Sequence, residues 1–374
     1  MTRPEPRAVR VLAIGPAPSS HDSRGGMATV VTLMGDHPDP GVAVRIVPTY
    51  VDRGLVQRTA RGLRGMFAAA ALILLGRVDV LHVHLAHGGS VVRKSLPLLA
   101  ARLRGTPTVV HAHSYDFAGW FDGLPSWGRS LVRRGVAADV WLVLARHHVA
   151  DFAARLDMPQ QTFRVLHNPV ALPAPGGTAD PAVSDGPVRA VSLGRLGRRK
   201  GSYDIVAAVA TLPRDVRSRL RVVLAGDGEV EEVRQAIVDA DVQDVIEVRG
   251  WQGPDERDAL LRASHVFLLP SHEEGLPMAM LEAMARGLAP VVTPVGGIPN
   301  VVSDQVEGLL VPPGDADALG KAIRRIVEDD DLRNGIAVAA RARSEDFDVE
   351  RWYGDLADLW ISLAEQRQRA RRQR

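Results

Sequence analysis

The chain has 374 residues, of which 46% are hydrophobic and 24% charged, proportions typical of a soluble globular protein. This is more residues than a single hydrophobic core ordinarily holds, so the length predicts two domains. Cysteine is absent, which excludes disulfides and thiolate metal sites. The N-terminal residues lack the apolar core of a signal peptide, and the longest apolar run, 66–75, is too short to cross a bilayer. These features predict a cytoplasmic protein.

The net charge of +2 conceals an asymmetry between the two halves of the sequence. Residues 1–170 hold 20 basic and 11 acidic side chains, a net charge of +9, and the remainder holds 26 basic and 33 acidic side chains, a net charge of −7. A basic half indicates an anionic partner. Nucleic acid is disfavoured because aromatic residues are scarce and no nucleic-acid motif occurs. An anionic membrane surface or a lipid-phosphate substrate fits better.

Short apolar runs alternate with helix-like segments along the chain, which is typical of parallel α/β sheets. The first half contains six such runs, at 10–15, 42–47, 79–84, 108–113, 140–145 and 163–168. Residues 171–187 are rich in Pro, Gly and Ala and predict a linker. Six further runs follow, at 188–194, 221–226, 245–250, 265–270, 289–294 and 308–313.

This order predicts two Rossmann-like domains, 1–170 and 188–347, that face each other across a cleft. In such sheets, ligands bind beyond the carboxyl ends of the strands, so the residues directly after each strand are the candidates for a site. Gly25 and Gly26 follow the first strand and permit close approach of a phosphate or sugar to a helix start. Alone, this is a weak indication.

Four histidines lie on the third and fourth runs of the first half, at His82, His84, His111 and His113. Alternation places both histidines of a run on one face of its strand. Of the two histidines in the third run, only His84, at the carboxyl end, is expected to reach the cleft. Such spacing also suits a metal, but no carboxylate lies beside these residues, which favours hydrogen-bonded strand-end histidines. The sequence predicts no metal site.

The turn 194–201, GRLGRRKG, carries Arg195 and Lys200 on either side of a glycine before a helix. Two cations at a strand-to-helix turn suit a diphosphate. The alternative is a solvated basic loop, which is the expectation for Arg198 and Arg199. The next turn begins like a dinucleotide-binding loop, but Glu231 occupies its third glycine position, which disfavours an NAD site.

Arg249 and Gly250 end another strand, in a position where backbone groups would pair with a nucleotide base. We expect this pairing because both residues lie at the carboxyl end of a strand, where ligands of such sheets bind.

Residues 271–287, SHEEGLPMAMLEAMARG, place Glu274 and Glu282 across a predicted helix start. Pro277 suits the first helical position, where its missing N–H leaves nothing unsatisfied. The amides of Gly275, Leu276 and Met278 then face a phosphate, and the two carboxylates accept hydrogen bonds from sugar hydroxyls. The alternative is an amphipathic helix whose glutamates face water.

The segment 55–75 places Arg58, Arg61 and Arg64 at helical spacing ahead of an apolar stretch. Two interpretations stay open. The segment docks peripherally on anionic lipid, or it is a helix buried against the first sheet with a basic outer end.

Together these motifs resemble the retaining glycosyltransferases of family 4, which have the GT-B fold. Residues 271–287 resemble the paired-glutamate motif PSxxEG…LEAMA, GRLGRRKG resembles GRLxxxKG, and GGMATV resembles the N-terminal glycine loop. The resemblance covers nearly the whole chain. The segment HVHLAHGGSVVRK is also similar to members that act on cell-surface or capsular polysaccharides.

The resemblance implies a role for each candidate residue. Arg195 and Lys200 would bind the diphosphate of a nucleotide sugar and stabilise it as a leaving group. Glu274 would contact the transferred sugar, Glu282 the ribose, and His84 the region of the anomeric carbon. The amides of the segment from Gly275 and Leu276 through Pro277 to Met278 would approach the phosphates, and Gly26, beside Gly25, would do so from the opposite domain.

The resemblance also implies a reaction and an acceptor. It implies transfer from a nucleotide-diphosphate sugar, UDP-linked, with no metal, no cofactor and no covalent enzyme intermediate. The acceptor would be lipid-linked or a glycan at the inner membrane face, with peripheral contact to anionic membrane. The last helix, about 348–374, would cross back to the first domain. The competing hypothesis is a non-catalytic nucleotide-sugar-binding subunit that kept the fold.

Overall fold

A computed structural model describes residues 7–19, 23–174 and 186–373. The chain divides into two compact units, Met1–Asn168 with Val349–Arg374, and Pro169–Asp348. Most of the segment predicted as a linker, 171–187, lies outside the described residues, since 175–185 are not among them. No helix in the described ranges is long and apolar enough to cross a membrane.

The first unit contains a six-stranded parallel sheet in the order β2-β1-β3-β4-β5-β6. Its strands are β1 Val9–Pro16, β2 Val42–Tyr50, β3 Val80–Leu85, β4 Thr108–Ala112, β5 Val140–Val143 and β6 Phe163–Val165. Its helices are α1 Gly26–Asp36, α2 Leu55–Leu74, α3 Gly89–Arg104, α4 Phe117–Asp122, α5 Ser126–Gly135 and α6 Arg146–Leu156.

The second unit contains a six-stranded parallel sheet in the order β12-β11-β10-β7-β8-β9. Its strands are β7 Val188–Leu193, β8 Leu220–Ala225, β9 Ile246–Arg249, β10 Val266–Leu269, β11 Ala289–Val292 and β12 Leu309–Leu310. Its helices are α7 Ser202–Ala210, α8 Arg214–Ser218, α9 Val230–Asp239, α10 Pro254–Arg262, α11 Met278–Ala285, α12 Ala316–Glu328 and α13 Asp330–Ser344. The predicted fold class, α/β with two parallel sheets, is confirmed.

Strand β3 shows how the two faces of the first sheet differ. Leu81, Val83 and Leu85 point to the hydrophobic core beneath α2, α3 and α5. His82 and His84 point to the other face, where the terminal helix α14, Val349–Arg372, packs. The indole Nε1 of Trp360 on α14 donates to His82 Nδ1 at 3.2 Å. The terminal helix is therefore anchored to the first unit by a buried polar contact as well as by apolar packing.

Helix α3 buries a lysine in the first unit. The Lys94 ammonium is fully buried and donates to the Ser90 hydroxyl oxygen at 2.8 Å. Burial, and then the positive charge of Arg93, lower the pKa of Lys94 to about 7. In the unfolded chain the pKa returns to 10.5, so the unfolded state binds more protons between these two values and stability rises with pH across that window.

We expect Lys94→Met to raise the free energy of unfolding at neutral pH by about 4 kcal/mol, because the penalty for the buried charge disappears. The gain should shrink as pH rises above 7 and vanish near 10.5. Denaturant unfolding followed by tryptophan fluorescence measures it, since five of the six tryptophans lie in the first unit. Lys321→Met, at an exposed position, is the control. A gain that does not change with pH would contradict the explanation.

Candidate active site

The second sheet brings three loops together because β11, β10 and β7 are adjacent and parallel. The loops that follow their carboxyl ends are residues 194–201, 270–277 and 293–297. These contain most of the residues that the sequence indicated. The site is therefore built from distant parts of the sequence at one edge of one sheet, where ligands of such sheets bind.

Lys200 and Glu274 form an ion pair at the centre of these loops. The Lys200 side chain is 16% exposed and that of Glu274 is 7% exposed, so the pair is largely withdrawn from water. The Ser271 hydroxyl donates to the same carboxylate oxygen, Oε1, at 2.8 Å. Oε2 has no hydrogen-bond partner within the described ranges. The pair thus offers a fixed cation and a free carboxylate oxygen side by side.

Backbone contacts lock the two loops that carry this pair. Gly201 has φ +71°, and a Cβ there would lie 2.1 Å from the Pro270 carbonyl oxygen, so only glycine permits this approach. The His272 amide donates to the Arg199 carbonyl at 2.8 Å, and Arg199 Nη1 donates to the Glu273 carbonyl at 3.0 Å. The expectation that Arg199 is merely solvated is therefore wrong, because its guanidinium bridges the loops.

The third loop fixes the backbone around Glu274. Thr293 Oγ1 donates to the Ser271 carbonyl at 2.6 Å, and the Gly297 amide donates to the Gly275 carbonyl at 2.5 Å. Gly296 has φ +56°, and a Cβ there would lie 2.0 Å from the Glu274 carbonyl oxygen. These supporting residues were not predicted from the sequence. The paired glycines after β11 were the signal that could have indicated a close approach.

Helix α11 begins at Met278, one residue later than predicted. Pro277 has φ −73° and ψ 121°, an extended backbone, and therefore caps the helix and is not its first residue. Across the described part of the chain, the amides of Gly275 and Met278 have no hydrogen-bond partner. Free amides and the positive end of the helix dipole make this segment attractive to phosphate.

Glu282 lies one turn into α11 and is 9% exposed. Burial raises the pKa of its carboxyl group. Its Oε2 lies 3.3 Å from Arg257 Nε, close enough for charge attraction but without the alignment of a hydrogen bond. The alternative that Glu274 and Glu282 are surface acids is thus wrong, because both are buried. The Oε2 atom of Glu282 can therefore accept a hydrogen bond from a ligand hydroxyl.

We expect Glu282→Gln to weaken nucleotide binding about ten-fold, because a charge-assisted hydrogen bond becomes a neutral one. The fold should stay intact, since the change relieves a desolvated carboxylate. Calorimetric titration with a nucleotide diphosphate and with its 2′,3′-dideoxy form separates the effects. The loss should disappear with the dideoxy nucleotide. Glu273→Gln, at the exposed neighbour of Glu274, is the control. An equal loss for both nucleotides would contradict a ribose contact.

Arg195 and Arg249 occupy different parts of the sheet edge. Arg195 follows β7 and is exposed. Its Cγ lies so close to Gly228 that a Cβ added to this glycine would be 2.9 Å from it. Arg249 and Gly250 end β9, the edge strand, and are exposed. Arg249 Nε donates to Glu247 Oε1 at 2.7 Å. Diphosphate binding by Arg195 and base contact by Arg249 and Gly250 stay predictions.

Two predicted regions belong to the first unit. Gly25 has φ +95°, with no atom within 4 Å of a Cβ built there, and α1 begins at Gly26. This helix start is open and capped by no side chain. His84 is fully buried, and its Nδ1 lies 3.0 Å from Nε2 of the partly exposed His113. The His84 side chain is thus enclosed within the first unit, and the expected contact of its backbone or side chain with a ligand stays a prediction.

The histidines His82, His84 and His111 form a buried cluster in which one ring nitrogen from each lies within 4.8 Å of those of the other two. Burial lowers the pKa of His82 to about 3 and holds the pKa values of His84 and His111 well below 6.5. Such a group is large enough for a metal ion. Yet Trp360 donates to His82 Nδ1, which leaves the proton of that neutral ring on Nε2, a buried nitrogen with no hydrogen-bond partner among the described residues. The absence of a metal stays a prediction, favoured by this tautomer.

Comparison with known sequences identifies the family. Residues 179–343 match the family described as glycosyl transferases group 1, and residues 21–172 match glycosyltransferase family 4. The chain is 30% identical over 348 residues to the D-inositol 3-phosphate glycosyltransferase of Saccharomonospora viridis, covering 86% of this chain and 80% of that protein. The chain therefore belongs to glycosyltransferase family 4, the glycosyl transferases group 1.

Two further relatives come from bacterial glycan synthesis. The chain is 26% identical over 350 residues to the UDP-Gal:alpha-D-GlcNAc-diphosphoundecaprenol alpha-1,3-galactosyltransferase of Escherichia coli, covering 88% of this chain and 86% of that protein. It is 32% identical over 186 residues to the amylovoran biosynthesis glycosyltransferase AmsK of Erwinia amylovora, covering 48% of this chain and 46% of that protein. The match thus spans about half the length of AmsK.

Comparison with solved structures confirms the fold. The chain is similar to Anabaena Alr3699/HepE, whose crystal structure contains UDP and glucose, with a TM-score of 0.71 over 95% of this chain and 100% of that chain. The sequence identity of 17% shows the fold alone. The two units have the GT-B architecture of two Rossmann-like domains.

Proposed function

We propose that this chain is a retaining, metal-independent glycosyltransferase that takes a sugar from a nucleotide-diphosphate sugar, UDP-linked, and places it on a lipid-linked or glycan acceptor. The observation that carries the proposal is the buried Lys200–Glu274 pair beside the open start of α11. It combines a cation, free amides and a carboxylate, which match a diphosphate and a sugar hydroxyl.

The chemistry of the site suits loss of a nucleotide diphosphate. Negative charge grows on the diphosphate as the bond to the anomeric carbon breaks. Lys200, Arg195 and the amides of Gly275 and Met278 are the groups available to receive it. One preorganised donor of this kind is worth about 3 kcal/mol of barrier. Together these four groups supply what a divalent metal would otherwise contribute, which supports a metal-independent reaction.

The surroundings of Glu274 support retention without a covalent intermediate. One oxygen of this carboxylate is occupied by both Lys200 and Ser271. An ion-paired, hydrogen-bonded carboxylate is a poor nucleophile and a good acceptor for sugar hydroxyls. We therefore assign Glu274 to donor-sugar binding, with the acceptor attacking from the face that the diphosphate leaves.

The relatives and the charge of the chain indicate the class of the acceptor. The E. coli relative is named for a diphosphoundecaprenol-linked acceptor, and AmsK for amylovoran biosynthesis. The basic half of this chain, with a net charge of +9, is compatible with a lipid phosphate. We infer an acceptor of this class, a place in cell-surface polysaccharide or glycolipid synthesis, and peripheral contact of a cytoplasmic enzyme with anionic membrane.

The test is a panel of nucleotide sugars incubated with the purified chain, with and without a chelator, and scored for release of the nucleotide diphosphate. We expect at least one UDP-sugar to be turned over at a rate that the chelator leaves unchanged. Activity that the chelator abolishes and added metal restores would contradict metal independence. Binding of the nucleotide sugar with no turnover on any acceptor extract would favour the non-catalytic alternative.

A further inference from the structure

The first turn of helix α3 is open and carries no acidic residue. Gly88 precedes the helix with φ +64°, a conformation that favours glycine, and no side chain caps the helix. The amides of Gly88 and Gly89 have no hydrogen-bond partner among the residues that the structure describes. Residues 86–104 contain no aspartate or glutamate. The positive end of this helix dipole is therefore uncompensated. Residues 88–90 are called here the α3 start.

The Arg93 guanidinium folds back to the α3 start. A Cβ added to Gly89 would lie 3.1 Å from Arg93 Nη1, so the guanidinium stands beside the first residue of the helix. Its Nε is buried without a hydrogen-bond partner, and Arg93 forms no ion pair with any described residue. The guanidinium carbon packs 5.4 Å from the centre of the Tyr50 ring. A cation held at this end of a helix opposes the helix dipole.

Lys94 brings a second cation to the same turn. Its ammonium donates to Ser90 Oγ at 2.8 Å, and the Ala86 amide donates to the same oxygen at 3.0 Å. Both lone pairs of this hydroxyl are thus engaged, which leaves its proton available to a ligand. The ammonium is fully buried and has no counter-ion within the described ranges. Ser90 is therefore a hydrogen-bond donor at the α3 start, with a buried positive charge directly behind it.

These groups are all donors or cations, and they converge where no described anion lies. A buried charge without a partner and a cation at the positive end of a dipole both cost stability. A bound anion would relieve both costs. A phosphate suits the α3 start better than a carboxylate, because two amides, a hydroxyl and a guanidinium match its larger number of oxygen atoms. Trp120 adds an indole N–H nearby, since its Nε1 lies 4.0 Å from a Cβ built on Gly88.

We propose that the α3 start, with Arg93 and Lys94, binds a phosphate group of the acceptor. Helix α3 follows the carboxyl end of β3, the sheet edge where ligands of such sheets bind. The amides, the Ser90 hydroxyl and Arg93 contact the phosphate, and Lys94 is a positioning residue that acts through Ser90. The assignment of this phosphate to the acceptor rests on the proposed function. The anion site itself rests only on the geometry of the first unit.

The test is calorimetric titration of the full chain with inorganic pyrophosphate, in the presence of excess UDP to fill the proposed donor site. We expect one pyrophosphate site per chain. Arg93→Gln should weaken this binding about 10- to 100-fold, because a charge-assisted hydrogen bond is lost. Arg102→Gln, at an exposed position of the same helix, is the control and should bind like the wild type. Equal binding by Arg93→Gln and the wild type would overturn the proposal.

Two further variants distinguish a ligand site from a structural role. Lys94→Met removes the buried charge, and Gly89→Asp places a carboxylate where the phosphate would lie. Both should raise the melting temperature and weaken pyrophosphate binding about 10-fold or more. Lys321→Met, at an exposed position, should change neither property. Variants that gain stability and bind pyrophosphate like the wild type would contradict the proposal.

Proton uptake reports on Lys94 directly. At pH 8 the bound anion should raise the pKa of Lys94, which burial and then Arg93 hold at about 7, so up to one proton is taken up on binding. His84 and His113 also face Lys94, but their pKa values lie far below pH 8. Titrations in two buffers of different ionisation enthalpy measure the uptake. Lys94→Met should reduce it, and an unchanged uptake would exclude Lys94 from the site.

Farnesyl diphosphate identifies the source of the phosphate. Tighter binding of this probe than of pyrophosphate, weakened by Arg93→Gln, would support a lipid-linked acceptor. Equal binding of the two probes would support a soluble phosphorylated acceptor at the same site. Turnover of nucleotide sugars is measured in parallel. Arg93-dependent binding of pyrophosphate by a chain that turns over no nucleotide sugar would count against the proposed function alone.

Discussion

Lys200→Met is expected to lower kcat/KM for sugar transfer about 100- to 1,000-fold, because the variant removes a preorganised cation from the leaving diphosphate. The same change leaves the Glu274 carboxylate buried without its partner. Loss of one member of a buried ion pair costs about 3 kcal/mol or more of stability. The single variant therefore confounds catalysis with folding, and a second variant is needed to separate them.

Lys200→Met/Glu274→Gln separates the two effects. Removing the carboxylate charge relieves the unpaired group, so the double variant should recover most of the stability that Lys200→Met loses. Its activity should stay as low as that of the single variant or fall further, because both groups act on the donor. Lys321→Met, at an exposed position, controls for loss of a lysine charge. If the double variant regained both stability and activity, the pair would be structural and the assignment of Lys200 would be wrong.

Acidification is expected to unfold the first unit near pH 5. The rings of His82, His84 and His111, which are buried, and of the partly exposed His113 are neutral in the folded state, since withdrawal from water lowers the pKa of His82 and His113 to about 3 and the others well below 6.5. The unfolded chain binds a proton at each ring below 6.5, so stability falls as pH falls from 6.5 towards 3. At pH 5 each ring costs about 2 kcal/mol, and four rings approach the whole stability of a typical domain.

The measurement is the free energy of unfolding as a function of pH, followed by tryptophan fluorescence. Its slope at low pH should correspond to about five protons taken up on unfolding, one at each of these four rings and one at His148, whose pKa burial lowers to about 4. His111→Leu should reduce that number by about one, because one titrating ring is removed. His147→Gln changes an exposed histidine and should leave the slope unaltered. A first unit that stays folded below pH 4, or a slope that His111→Leu does not change, would contradict the assignment.

The strands and the fold class were predictable because apolar runs bounded by Gly and Pro mark buried parallel strands. The Lys200 and Glu274 loops were predictable as parts of a site, since both follow strands and ligands of such sheets bind at that edge. The contacts of the loop 293–297 with the Glu274 loop were not predictable, because they depend on the order of strands in the sheet. Sequence adjacency carries no information about that order.

Long-range packing also decides the surroundings of His84 and Arg199. His84 was expected at a ligand edge because alternation fixes which face a side chain takes, but its burial depends on side chains of the neighbouring strand and its loop, among them His111 and His113. Arg199 was expected in solvent because arginine usually is, but its guanidinium reaches a carbonyl of another loop. Local patterns predict elements and faces, whereas long-range packing decides which side chains remain accessible.

The most direct test of the central claim is proton NMR of the transfer reaction with a UDP-sugar donor in the presence of excess chelator. The anomeric signal of the first product distinguishes the two stereochemical courses before any mutarotation. We predict a product with the anomeric configuration of the donor, formed at the same rate with and without chelator. A product of inverted configuration, or a reaction that proceeds only with added metal, would contradict a retaining, metal-independent glycosyltransferase.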